Sequence, residues 1–153
     1  AFLCSLVAGF LFAFAVVIMP GIRNLDVGAF LRAFQEMDGV IQRGNPLFGL
    51  VWVGSVLALV ACLALGVGQV AGLERTLLVL AGAIYLLGVQ LPTLVINIPL
   101  NNQLQALDIE GADEATLRSA RERFEPRWNR WNATRTALAV LASAMLVVFL
   151  IRL

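Results

Sequence analysis

Two polar stripes, set within or against long apolar runs, carry the residue types from which chemistry could be built. In the first, Gln90, Thr93, Asn97 and Asn101 recur at i, i+3, i+7 and i+11, which places them on one helical face. Pro92 lies in the same run; it removes one backbone donor and frees a carbonyl a turn earlier. In the second, Glu125, Trp128, Asn132 and Arg135 recur at i, i+3, i+7 and i+10, with Trp131 beside them. A carboxylate can take a proton, amides and a guanidinium can hold a developing oxyanion, and indoles make a flat apolar wall. A plainer reading competes with this one. Trp favours the membrane interface and Arg near a span end reaches for headgroups. That accounts well for Trp131 and Arg130, and poorly for the deeper Asn132 and Arg135.

The chain that must position these residues has 153 residues, 60% of them hydrophobic and 14% charged, with a mean hydropathy of +0.87. A soluble domain is nearer about half apolar and a quarter charged. The composition therefore indicates an integral membrane protein whose first partner is the lipid bilayer. A net charge of +1 with no basic face argues against a nucleic-acid partner. All eleven basic residues are Arg, and there is no His. Haem, di-iron and most zinc centres use imidazole, and two Cys without His make a poor ligand set, so no metal centre is expected. Cys4 and Cys62 read as small buried hydrophobes, with a disulfide between them as the sharper alternative.

Each span needs about 20 residues, which gives four spans at about 2–19, 47–67, 76–98 and 134–151 in a single domain over 1–153. The first opens at Ala1 already inside its apolar run, so a few residues are expected ahead of it, and Met19-Pro20-Gly21 ends it. Asp26 reads as the N-cap of an amphipathic helix of about 16 residues carrying Phe30, Leu31 and Phe34. That helix is either a connector docked on the bundle or a lid across its mouth. Asn45-Pro46 opens the second span. Gly54, Ala58, Cys62 and Gly66 in it form a ridge of small residues on which another helix could settle. Pro99 leads the third span out, Asp113–Glu125 reads as a charged surface helix, and Pro126 breaks or restarts it before the fourth span.

The fold expected is an all-α, up-down four-helix transmembrane bundle. Both long connections then fall on one side, with Arg23, Arg32, Arg43, Arg118, Arg121, Arg123, Arg127, Arg130 and Arg135. Only Arg75 and Arg152 lie on the other. An excess of Arg marks the cytoplasmic side, so the termini are expected outside. Met19, Asn45, Asn97–Asn102 and Trp128–Arg135, distant in sequence, are thereby brought to one membrane face.

Four segments carry a resemblance: MPGIR after the first span, GNPLF before the second, NIPLNNQL after the third and FEPRWNRWNATRT before the fourth. In that order they resemble a widespread family of small bacterial membrane proteins. That family was first catalogued as a domain of unknown function and includes the fungal anthrone oxygenases. The resemblance covers nearly the whole chain. It implies a bacterial inner-membrane protein of four spans that oxidises an anthrone with O2, without metal or flavin. On that implication Glu125 would be the base, Asn97, Asn132 and Arg135 the donors, and Trp128 the wall. Thr93, Asn101, Trp131 and Met19 would complete the substrate-binding set. Two readings stay open beside it. In one the protein is a non-catalytic subunit or assembly factor of a larger membrane complex. In the other it holds a lipophilic aromatic or quinone-like ligand without chemistry.

Overall fold

A computed structural model describes residues 1–153, and every regular element in it is a helix. Four are long and apolar enough to cross a bilayer: α1 (Phe2–Ile22), α3 (Pro46–Gly66), α4 (Gly72–Gln105) and α5 (Glu114–Arg152). The amphipathic helix, α2 (Val27–Gln42), is tucked between α1 and α3 in the chain. The result is the all-α four-helix membrane bundle that the sequence indicates.

The caps fall where the residue types direct. The Asp26 carboxylate accepts from the Ala29 amide at 2.9 Å at the head of α2. Asn45 accepts from the Leu47 and Phe48 amides at 3.0 and 3.1 Å, with Pro46 in the first turn of α3. Between those helices the chain turns through Gly44 at φ +78°, a backbone position that favours glycine.

Prolines do not end helices here, contrary to the sequence expectation. α1 runs through Pro20 to Ile22, α4 runs through both Pro92 and Pro99 to Gln105, and α5 runs unbroken through Pro126. The three prolines of α1 and α4 share a device. Widened turns with i→i+5 geometry occupy Phe14–Ile18, Ile84–Gln90 and Thr93–Asn97, and each ends two residues before a proline. A proline ring clashes with the carbonyl four residues back and donates no hydrogen bond to it; widening that turn relieves both problems. Pro126 lies on the exposed, polar part of α5, and there the helix continues without a widened turn. The charged surface helix and the fourth span are consequently one 39-residue element.

Packing divides the interior into two apolar clusters. One, built on Val7, Leu11, Leu59, Leu78, Tyr85, Ala139 and Leu146, fills the span region. The other, built on Phe14, Met19, Phe30, Leu31, Phe34, Leu100, Leu104, Phe124 and Trp128, holds α2 onto the bundle. Close approach of α4 to its neighbours depends on Gly82 and Gly88. A Cβ there would come within 2.7 Å of Leu63 and Leu138 respectively.

The small-residue ridge of α3 is half-buried only at its two glycines, Gly54 and Gly66, while Ala58 and Cys62 between them are exposed. A Cβ on Gly54 would meet Leu3 of α1 at 3.3 Å, and one on Gly66 would meet Leu78 of α4 at 3.5 Å. The bundle itself occupies the two ends of the ridge. Cys4 is buried as expected, whereas Cys62 is exposed on the outside of α3, and both are free thiols. The two long connections do meet at one end: Arg121 donates to the Arg23 and Leu25 carbonyls at 2.6 and 3.0 Å.

Candidate functional site

Between the two apolar clusters lies a polar layer. On α4 it falls between Val89 and Leu100, and on α5 between Trp128 and Ala139. At this level a cavity of about 350 Å³ opens, and all five helices contribute to its wall. That volume is within the range of small-molecule sites, about 300–1,000 Å³.

Six of the 17 residues that line it are aromatic. Phe10 and Phe14 come from α1, Phe34 from α2, Phe48 and Trp52 from α3, and Trp128 from α5. Phe48 and Trp52 stack at 5.2 Å between ring centroids and 23° between planes. Trp128 meets Phe34 edge-on at 5.2 Å. The indole N–H of Trp52 donates to Gln90 Oε1 at 3.0 Å, which fixes that ring against the cavity. The amphipathic helix is docked on the bundle and roofs the cavity, since Phe34, Asp38, Ile41 and Gln42 line the space beneath it.

Arg135 is the cation of the cavity and is 3% exposed. Its Nη1 donates to Thr93 Oγ1 at 2.8 Å, and its Nη2 to Asn132 Oδ1 at 3.1 Å. Both partners are anchored in turn, Thr93 to the Val89 carbonyl at 2.7 Å and Asn132 to the Leu11 carbonyl at 3.2 Å. Arg135 Nε has no partner, and none of the four ion pairs in the protein involves this residue. Asn97 sits in the same wall, 2% exposed, with neither amide oxygen nor amide nitrogen hydrogen-bonded. Buried polar atoms are ordinarily paired, so a cavity edged by an unpaired amide and an uncompensated guanidinium is shaped for an occupant.

One carboxylate lines the cavity, and it is Asp38 of α2, 5% exposed. Its Oδ1 accepts from Asn101 Nδ2 at 2.8 Å, and its Oδ2 from Gln42 Nε2 at 2.7 Å and Gln105 Nε2 at 3.0 Å. Asn101 in turn accepts from the Trp128 indole at 2.8 Å. A chain of bonds therefore joins the aromatic wall to the carboxylate. Besides the indoles, the polar side chains of the cavity are amides, a guanidinium, the Thr93 hydroxyl and this carboxylate.

The structure brings Thr93, Asn97, Asn101, Trp128, Asn132 and Arg135 into one cavity. It does not bring Glu125, Met19 or Trp131 there. Glu125 is bound to Arg121 at 2.7 Å, and with Met19 it lines a separate polar depression on the far side of Asn132. The reason is rotation along the long helix: ten residues separate Glu125 from Arg135, and the turn between them points the carboxylate at the α1–α2 connection. Trp131, half-buried, lines neither space. Arg135 pairs with neither Glu125 nor a proline-freed carbonyl; a threonine and an asparagine hold it instead.

Asp38 was not anticipated from the sequence, yet a signal was present. It follows Phe34 by one turn on the apolar face of α2, where an acidic residue is out of place. The aromatic contributions of α1 and α3 carried no such signal.

No curated protein and no solved structure matches this chain. The family model described as anthrone oxygenase matches residues 37–145 of the 153, a stretch that takes in Asp38, Trp52, Asn97, Trp128 and Arg135. By that match, the chain belongs to the anthrone oxygenase family.

Proposed function

We propose that the cavity is the active site of a membrane-embedded oxygenase. Its substrate would be an anthrone or a related lipophilic aromatic carbon acid, oxidised to the quinone by O2. The observation that carries this reading is Arg135, a buried guanidinium without a carboxylate, set beside the unpaired amide of Asn97 in an aromatic cavity. An uncompensated buried charge is costly, and a site that is complete only with an anion in place suits a reaction passing through one.

The chemistry follows from the substrate's own acidity. The methylene of an anthrone loses a proton to give an aromatic oxyanion. Asp38 takes that proton, in place of the Glu125 expected from the sequence, and Arg135 and Asn97 hold the oxyanion. The electron-rich ring passes one electron to O2, and the two radicals combine to form a C–O bond at the former methylene carbon. The peroxide takes up a proton. Loss of water, with cleavage of the O–O bond and of the remaining C–H bond, leaves the second carbonyl. One anthrone and one O2 give one anthraquinone and one water. The substrate supplies every electron. Phe48, Trp52 and Trp128 offer flat faces for the rings.

The Arg-rich end, which includes the mouth of the cavity, would face the cytoplasm of a bacterial inner membrane. The test is oxygen uptake by the purified protein supplied with anthrone under isotopically labelled O2. The reading requires uptake above the spontaneous rate and one labelled oxygen in the quinone. Uptake no faster than the spontaneous rate would refute it.

A further inference from the structure

The cavity is open on one side, and what surrounds that opening indicates where its ligand comes from. α2 is tied firmly to the end of α4. Gln105 Nε2 donates to the Gln35 carbonyl at 2.8 Å and to Asp38 at 3.0 Å, and Gln35 Nε2 donates to the Leu104 carbonyl at 2.7 Å. α1 is closed against α3 by Phe10, whose ring lies 5.3 Å from Phe48 and 6.2 Å from Trp52. No such tie joins α2 to α3, although they are consecutive in the chain. α3 is hydrogen-bonded to α4 only farther along, at Trp52–Gln90 and Ser55–Tyr85. A gap remains between the start of α3 and the ends of α2 and α4.

Ile41, Gln42, Phe48, Ile98 and Asn102 form the rim of this gap, and all five line the cavity. The outer surface beside it is apolar. Leu47 and Leu50 on α3 are 73% and 66% exposed, and Leu94 and Val95 on α4 are 62% and 57% exposed. On membrane spans such side chains face lipid. The gap therefore opens sideways toward acyl chains, with amides at its headgroup edge. At that edge Gln42 Nε2 makes its longer bond, 3.2 Å to Asn102 Oδ1 between two exposed residues, while also holding Asp38 at 2.7 Å. Release of Asn102 widens the rim and leaves the carboxylate supported by Asn101 and Gln105.

We infer that the cavity is filled laterally from the bilayer, through the gap between α3 and the ends of α2 and α4, by an uncharged lipophile bearing a polar group, with Gln42–Asn102 as the latch. The ligand enters neutral because an anion crosses hydrocarbon at high cost. It becomes charged only beside Asp38 and Arg135. The inference rests on the proposed reading of the cavity as a substrate site, and it adds the route and the protonation state of what arrives.

The test separates the two. In protein carrying Cys4→Ser and Cys62→Ser, Gln42→Cys and Asn102→Cys are joined by mild oxidation, with the protein reconstituted in phosphatidylcholine vesicles. Anthracene, an unreactive three-ring hydrocarbon, is added to the lipid, and its arrival is followed by energy transfer from tryptophan. The cross-linked protein is expected to lose rapid uptake and to regain it on reduction. Uptake indifferent to the cross-link, or no uptake in either state, overturns the lateral route. A nitroxide on Ile98→Cys gives a second reading should the double variant fail to fold. Collision with O2 but not with a water-soluble nickel chelate is expected, and the reverse overturns the inference. Neither measurement involves oxidation of a substrate. A protein that passes both and leaves anthrone untouched would refute the catalytic reading alone.

Discussion

Asp38 and Asn97 show how different two buried polar side chains can be. Asp38 accepts three amide hydrogen bonds and is complete, while Asn97 has none. If Asp38 is the base, Asp38→Asn lowers anthrone turnover by about 10²-fold or more, the usual scale for a positioned general base. Glu125→Gln, affecting only the Arg121 pair, leaves turnover near wild type; oxygen uptake by the two variants makes the comparison. The opposite ranking would restore the assignment that helical spacing alone suggests. Asn97→Leu separates stability from function. It removes two unpaired buried polar atoms, so unfolding in mild detergent becomes harder by up to roughly 1–3 kcal/mol while turnover falls. A loss of stability would mean that the amide is paired in the working protein. At this scale the sequence was partly legible. The stripe of Thr93, Asn97 and Asn101 could be read because its spacing survives in α4. Glu125 misled because spacing cannot say which way a helix is turned about its axis.

The helices themselves were more legible at their starts than at their ends. Asp26, Asn45 and Pro46 mark helix starts by chemistry that acts within one turn. Pro20 and Pro99 failed as stop signals because the cost of a proline depends on whether the preceding turn can widen, a property of the packing rather than of the residue, and Pro126 failed as one without any widened turn. Asp113 offers a test at this scale. Its carboxylate accepts from the Thr116 amide at 2.8 Å, and hydrogen bonding from the Thr116 hydroxyl and then that amide holds its pKa below the ordinary value for an aspartate. A depressed folded pKa adds stability above the unfolded value, and that contribution disappears as pH falls through the folded one. Protection of the first-turn amides of α5 against hydrogen exchange is therefore expected to be steady from neutral pH down to about pH 4 and to fade below it. In Asp113→Ala it should be weak throughout. Equal protection in the variant at neutral pH would show that the cap does not hold the helix end.

Across the whole molecule the asymmetry is plain. One end joins α2, both long connections and the aromatic cavity, and the other has a short turn between α3 and α4 with both chain termini. Composition made the membrane class and the four-helix bundle evident, because burying so apolar a chain in water is untenable. It could not reveal that α2 roofs a cavity, since an amphipathic helix has the same pattern on a headgroup layer as on a bundle mouth. If the arginine excess sets orientation, a cysteine at Arg118 in spheroplasts, with Cys4 and Cys62 replaced by Ser, should react with an impermeant maleimide only after permeabilisation. One at Arg152 should react at once. The reverse pattern would put the mouth of the cavity outside the cell.

The most direct test of the account is Arg135→Met, with anthrone-dependent oxygen uptake and unfolding measured on the same preparation. Methionine fills similar space without the charge, and replacing an uncompensated buried ion by an apolar side chain is often neutral or stabilising. A guanidinium kept to hold a reacting anion predicts turnover lowered by about 10²-fold or more, with the bundle as stable as before or more so. A destabilised bundle with its remaining folded molecules fully active would contradict that, and would make Arg135 a strut between α4 and α5.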